Sequence, residues 1–258
     1  MIQQAGFEAL LTSGFGISAS FLGQPDAELY TMSENLSVTR NVVNAVTIPV
    51  VADIDTGYGN AINVMRTVRE FEAAGVAAVI LEDQVAPKRC PICVAGVEEI
   101  PLDEGVAKIQ AAAAARQDPN MLIIARTDVV DEAAAIERGK AYVAAGADII
   151  QPISKCFRSI EGLRAMRQGC GVPLSLQVLG WLEKDLTAAQ IAEVAGLATY
   201  PLVPVMTVGQ TLKVNLAALA QRHSTADLPH PVMGHNEFID FIGFAQVEEL
   251  QLKYLRAG

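Results

Sequence analysis

The sequence predicts a (β/α)8 TIM-type barrel, and three observations carry that prediction. Short apolar segments alternate with helix-periodic ones from one end of the chain to the other. Polar residues gather after the apolar segments rather than before them, as they do at the C-terminal rim of a barrel. A length of 258 residues also suits one such domain. A doubly wound sheet would not use nearly every strand end, and the chain has neither a GxGxxG nor a Walker motif.

Strands are expected at 8–12, 48–54, 77–81, 121–125, 148–151, 173–178 and 199–203. They are short, mostly apolar and rich in β-branched residues, as strands covered on both faces should be. Helical periodicity marks 61–74, 103–116, 132–144, 160–168 and 188–195, and Gly75, Gly146, Gly171 and Gly196 are expected to cap helices ahead of the next strand. The count is seven strands rather than eight. Residues 1–6 read as the end of a helix, so a first strand is expected to be truncated. The barrel is expected over residues 1–222, with 223–258 a helical tail packing on it or on a neighbouring subunit.

Hydrophobic residues make up 51% of the chain and mean hydropathy is +0.30, enough for a large core and some apolar surface for a subunit contact. The net charge of −10 argues against nucleic acid or an anionic membrane as partner. The same field repels anionic substrates, so a site for them needs local cations. Cys90, Cys93, Cys156 and Cys170 are too few and scattered for a disulfide framework. Cys90 and Cys93 imitate a redox or zinc pair, but no second CxxC or HxxxH completes a zinc site. The histidines (His223, His230, His235) all lie near the C-terminus. With no apolar run long enough to span a bilayer and no charged-then-apolar leader, a cytoplasmic protein is expected.

The chemistry concentrates between Val50 and Cys90. One apolar strand ends in Asp53 and Asp55, a turn with Gly57 and Gly59 follows, and the next strand ends in Glu82 and Asp83. Carboxylates crowded at consecutive strand ends repel one another unless a cation sits among them. Carboxylate oxygens are hard ligands, so Mg2+, or alternatively Mn2+, is the expected cofactor. Lys88, Arg89 and Cys90 follow closely, and Arg126, Gln151 and Gln177 sit at later strand ends.

The runs ADIDTGYGN, LEDQ…PKRC and IIARTD, in this order and at these strand ends, resemble the isocitrate lyase/phosphoenolpyruvate mutase superfamily, most nearly its methylisocitrate lyase branch. The likeness covers roughly residues 1–220. It implies that Asp53 ligates the metal directly, that Asp55 and Glu82 hold its waters, and that Asp26 is a further acid beside it. It also implies that Arg126 clamps a substrate carboxylate, that Ser13 and Gly14 bind a second one, and that Cys90 on a mobile loop transfers a proton. Lys88 would assist catalysis there, with Arg89, Gln151 and Gln177 contacting substrate. Lys88 and Arg89 beside Cys90 would lower its thiol pKa. Members of the family swap a C-terminal helix and pair into tetramers, which makes a homo-oligomeric dimer of dimers the expectation, and the amphipathic run 244–254 is compatible with it.

Some positions depart from the lyases. Pro91 and Ile92 stand where glycine and histidine usually follow the cysteine, Gln151 replaces a glutamate, Gln177 an asparagine and Leu11 a tyrosine. These changes alter which acid fits. The expected activity is metal-dependent cleavage of a small 2-hydroxy di- or tricarboxylic acid, such as a 2-methylisocitrate- or 2-methylmalate-like compound, to a 2-oxo acid and a second carboxylic acid. The alternatives are oxaloacetate hydrolysis or decarboxylation on the same metal, phosphoenolpyruvate mutation, and a catalytically inert binding barrel.

Overall fold

The computed structural model describes residues 1–91, 93–94 and 96–255. Ile92, half of the altered pair after Cys90, lies outside the described residues. The chain forms two compact units, Met1–Val205 and Met206–Gly258.

The first unit is a nearly closed parallel barrel of seven strands hydrogen-bonded in sequence order. They are β1 (Leu10–Thr12), β2 (Val50–Asp53), β3 (Ala78–Glu82), β4 (Leu122–Thr127), β5 (Ile149–Pro152), β6 (Leu174–Gln177) and β7 (Ala195–Thr199). Between them run α1 (Gly14–Ile17, continued by a π-helical turn over Ser18–Leu22), α2 (Met32–Asn44), α3 (Ala61–Ala73), α4 (Leu102–Ala115), α5 (Glu132–Ala144), α6 (Ile160–Cys170), α7 (Trp181–Asp185) and α8 (Ala188–Val194). Every residue of β2, β3 and β5 is buried, so these strands read as continuous apolar runs.

Side chains alternate along each strand and sort the core into two layers. Ala52, Val79, Ile123 and Leu176 face outward onto Val68, Phe71, Ile109 and Leu163 of the helices. Val51, Ile80, Ile124 and Ile149 face inward and pack on one another. Asp53, Glu82, Arg126 and Gln151 lie two residues further along those same strands. They therefore point into the barrel at its C-terminal end.

Helix boundaries follow local hydrogen bonding. Thr31 and Glu34 form a capping box at α2, Asn60 and Asn63 one at α3, and Thr187 and Gln190 one at α8. Gly171 caps α6 with φ +74°, a left-handed conformation disfavoured by a side chain. Gly196 is different: it lies within β7, where an added Cβ would come 2.7 Å from Pro173 Cβ. The last strand also starts earlier than the sequence suggests, at Ala195 rather than Thr199. The helix α8 passes into it without a loop. Pro201 lacks the amide that a continuing ladder needs, and the apolar run after it opens a helix instead.

The second unit is helical, taking in most of α9 (Val203–Arg222) together with α10 (His235–Phe241) and α11 (Phe244–Tyr254). Asn215 is buried and exchanges two hydrogen bonds of 3.0 Å with the backbone of His230. Among the described residues no helix is long and apolar enough to cross a membrane.

Candidate active site at the barrel mouth

Parallel register puts Glu82, Arg126 and Gln151 at one level across β3, β4 and β5. Asp53 ends β2 on the neighbouring side, and Asp55 follows in a turn where both Asp55 (φ 49°) and Tyr58 (φ 60°) are left-handed. Backbone of this kind is held only where its surroundings over-determine it, and here they do. Tyr30 donates a short hydrogen bond to Asp55 Oδ2, and Tyr58 donates to the same oxygen at 3.2 Å. Asn35, from α2, donates to the Asp53 carbonyl at 2.8 Å and to the Tyr58 hydroxyl at 2.7 Å.

Asp53 accepts from the backbone of Gly14 (3.1 Å) and Asp55 (3.2 Å), so the turn after β1 docks directly on the acid cluster. Gly14 is there for want of space. A Cβ would fall 2.6 Å from Tyr30 Oη, 2.8 Å from Asp55 Oδ1 and 3.0 Å from Lys88 Nζ. Ser13 is half-buried, and its Oγ caps α1 by accepting from Gly16 at 3.4 Å.

The sequence calls for a cation among these acids, and two of the chain's own lie there. Lys88 is buried, with Nζ 2.5 Å from Asp55 Oδ1 and 3.1 Å from Asp26 Oδ1. Arg126 is buried with Nη1 2.8 Å from Glu82 Oε2, and it hydrogen-bonds Asp128 through Nε and Nη2. Burial works against the charge on Lys88, but Glu82, Asp55, Asp53 and Asp26 outweigh it and raise its pKa well above the ordinary value. Burial pushes Asp55 up to about 6 despite Lys88. Burial likewise drives Glu82 well above the usual carboxylate range against the pull of Arg126 and Lys88, and raises Asp26.

The loop that carries Lys88 is tied down at both ends. Gln84 and Glu99 form an antiparallel bridge, and Val85 donates to the Glu98 carbonyl at 2.8 Å. Glu28 holds the interior, accepting from the Lys88 backbone (2.8 Å) and from Thr56 Oγ1 (2.5 Å). Cys90 is buried. Arg89 is exposed, and its backbone N–H donates to Gln84 Oε1 at 2.9 Å. Gln151 accepts from Ser175 Oγ at 2.7 Å, which turns its amide nitrogen away from that partner. Gln177 ends β6 half-buried. Thus Gly14, Asp26, Asp53, Asp55 and Lys88 come together in direct contact, Glu82 meets Arg126 beside them, and Arg89 stays apart.

The donor chemistry suits a hard divalent cation. Both oxygens of Glu82, with Asp26 Oδ1 and Asp55 Oδ1, are buried, and among the described residues they have no partner beyond the charged groups of Lys88 and Arg126. Among the described residues, however, no three acidic, histidine or cysteine side chains are gathered around one point as they stand. Lys88 Nζ lies between Asp26 and Asp55.

Residues 1–221 match the family model for phosphoenolpyruvate phosphomutase. The chain belongs to the isocitrate lyase/phosphoenolpyruvate mutase superfamily. It is similar to the 2,3-dimethylmalate lyase of Eubacterium barkeri, 39% identical over 264 residues that span 98% of this chain and 89% of the relative. It is also similar to a 2-methylisocitrate lyase of Aeropyrum pernix, 38% identical over 96% of this chain and 80% of the relative. Its relatives in this superfamily thus include carbon–carbon lyases. Among solved structures, a phosphonopyruvate hydrolase in complex with oxalate and Mg2+ superposes with a TM-score of 0.86 at 32% identity, covering 98% of this chain and 89% of that one.

Tyr30, Asn35, Glu28 and Ser175 escaped the sequence reading. Glu28 and Tyr30 lie within four residues of Asp26 and Ser175 within two of Gln177, but a hydrogen bond between segments leaves no mark on local periodicity. The run TGY after Asp55 was the one available signal, since it places Tyr58 on the same strained turn.

Proposed function

We propose that the protein is a magnesium-dependent lyase that splits a small 2-hydroxy di- or tricarboxylic acid into a 2-oxo acid and a second carboxylic acid. The observation that carries this reading is the arrangement of buried acids on consecutive strand ends, with Arg126 and Gln151 at one level beside them. Asp53, Asp55, Glu82 and Asp26 would hold the cation, and the names of the lyase relatives and the oxalate–Mg2+ complex of a structural neighbour support the choice.

A bound divalent cation supplies charge neutralisation at the substrate 2-oxygen and its adjacent carboxylate. The remaining work falls to the chain. Arg126 has N–H groups beyond those given to Asp128, and its planar fork suits a substrate carboxylate. Gln151, with its oxygen already accepting from Ser175, presents its N–H2 as a neutral donor where an acid would repel the substrate. Ser13 and Gly14, in the turn after β1, would bind the second carboxylate. Cys90, buried on the loop between Glu82 and Leu102, would hold the proton that quenches the enolate carbon of the departing fragment. Lys88 must leave Asp26 and Asp55 for those carboxylates to turn to a metal, so loading the site and moving the loop are one event in this reading.

The proposal extends to a homo-oligomer. In the second unit Leu212, Leu216, Phe238, Phe244, Val247 and Leu250 are exposed, apolar side chains that a subunit contact would cover. Sedimentation velocity reads this directly, and a monomer at micromolar concentration would remove it.

The deciding experiment is a product screen. The protein is incubated with Mg2+ and a panel of 2-hydroxy di- and tricarboxylates plus oxaloacetate, and pyruvate and glyoxylate are read by mass spectrometry. A 2-oxo acid released from one hydroxy acid, and abolished by chelator, supports the lyase. Turnover of oxaloacetate alone would move the activity to hydrolysis or decarboxylation.

A further inference from the structure

The segment Cys90-Pro91 leads to a second thiol at Cys93 that plays no part in the chemistry above. The two sulfurs lie 2.9 Å apart, with Cys93 Sγ directed at Cys90 Sγ. The backbone enforces the approach. Cys93 N–H donates to the Cys90 carbonyl at 2.9 Å and Val94 N–H to the same oxygen at 3.2 Å, so a hydrogen-bonded turn carries both cysteines. A turn closed in this way keeps its end Cα atoms within about 7 Å, the range a disulfide can bridge. Pro91 stands at the second position of the turn, where its fixed φ is favourable. Lys155, from the segment after β5, donates to the Pro91 carbonyl at 3.3 Å and pins the turn from outside. The thiols differ in access: Cys90 is buried at 8% exposure and Cys93 is exposed.

We propose that Cys90 and Cys93 form a modification site, a dithiol that small disulfides oxidise to an intramolecular disulfide, taking the Cys90 thiol out of the barrel mouth. The loss of function rests on the role given to Cys90 above, whereas the cross-link itself does not.

The chemistry balances without any further reactant. Cys93, as thiolate, attacks one sulfur of a small disulfide RSSR, which forms Cys93–S–S–R and releases RS−; that thiolate takes up the proton Cys93 gave away. Cys90 then attacks the Cys93 sulfur, the bond to R breaks, and a second RS− leaves to take the proton from Cys90. The pair loses two electrons and two protons, and RSSR becomes two RSH. The sulfurs need to close only from 2.9 Å to a bond of about 2 Å. A net charge of −10 and a mouth crowded with acids favour a neutral disulfide over an anionic one. The other two thiols are poor competitors. Burial pushes Cys156 up to about 12, with Glu132 and Asp131 adding to it, and burial also raises Cys170.

The test exposes the intact protein to hydroxyethyl disulfide, blocks remaining thiols with an alkylating agent, and maps the peptides without reduction. The expected result is a peptide in which Cys90 and Cys93 are linked, with Cys156 and Cys170 alkylated, and reversal by dithiothreitol. Turnover should fall about 100-fold or more as the link forms and return on reduction. Cys93→Ser should keep the turnover of the reduced enzyme and lose the reversible inactivation. A Cys93 that stops at the mixed disulfide while Cys90 is still alkylated overturns the proposal, as does a link to Cys156, to Cys170 or between chains. A Cys90–Cys93 link with undiminished turnover would leave the modification site standing and overturn the role of Cys90 in the lyase reading.

Discussion

Lys88 Nζ and Asp55 Oδ1 meet at 2.5 Å inside the barrel mouth, both almost wholly removed from water. A lysine from a loop thus supplies the positive charge that the strand-end acids require. Three consequences can be measured, and a fourth prediction concerns the neighbouring Asp83.

Replacing Lys88 by methionine keeps most of the side-chain volume and leaves Asp26 and Asp55 uncompensated. Breaking a buried pair from one side costs about 3–5 kcal/mol. Metal-depleted Lys88→Met should therefore melt well below the parent, and Mg2+ should return much of the loss. Equal melting temperatures in chelator would show that the lysine is not the counter-ion.

Gly14→Ala puts a methyl group among Tyr30 Oη, Asp55 Oδ1 and Lys88 Nζ. The neighbours are ends of side chains, so the fold should survive at a loss of about 1–3 kcal/mol. The thermal shift produced by millimolar Mg2+ should shrink or vanish, as it should in Asp53→Ala. A full shift in both variants would place the metal elsewhere.

The Asp55 carboxyl, pushed up to about 6 by burial, gives a pH dependence with a definite sign. The folded protein holds this proton more tightly than the unfolded chain, where the group titrates near pH 4. The Asp55 contribution to the stability of the metal-depleted protein should then be lost as pH rises from about 4 to about 6. Metal binding needs the ionised form, so Mg2+ affinity should strengthen across the same window. Calorimetric titrations at about pH 5 and about pH 7 should give the tighter constant at the higher pH; equal constants would contradict it.

Tyr142 donates to Asp83 Oδ2 at 2.8 Å and accepts from Arg138 Nη1 at 3.1 Å, tying α5 to the end of β3. Tyr142→Phe should destabilise by about 1–3 kcal/mol, since Asp83 is buried and loses a donor. Chemical denaturation measures this, and an unchanged midpoint would mean that Arg138 and the Asp128 backbone N–H hold Asp83 without the tyrosine.

The barrel was legible because the inner and outer faces of each strand are both covered, which leaves apolar runs such as Val50–Ala52 and Val79–Leu81 standing out between amphipathic helices. The acids were legible because Asp53 and Glu82 interrupt those runs abruptly. The last strand was misplaced because LVPV is as apolar and β-branched as a strand, and only the turn at Pro201–Leu202 decides otherwise. The partnership of Lys88 with Asp26 and Asp55 was hidden for a different reason: a basic residue near acids in sequence can point toward them or into water, and Arg89 beside it does the latter.

The Gln84–Glu99 bridge makes the intervening residues a replaceable cassette. Its neck is fastened to the barrel by backbone hydrogen bonds that ask nothing of the side chains inside. Substitutions between Val85 and Glu98 at positions other than Lys88, whose side chain the acids engage, can alter what sits beside the acids while the strands beneath keep their register. A barrel joined to a mouth loop in this manner can acquire new chemistry by exchanging residues of that loop.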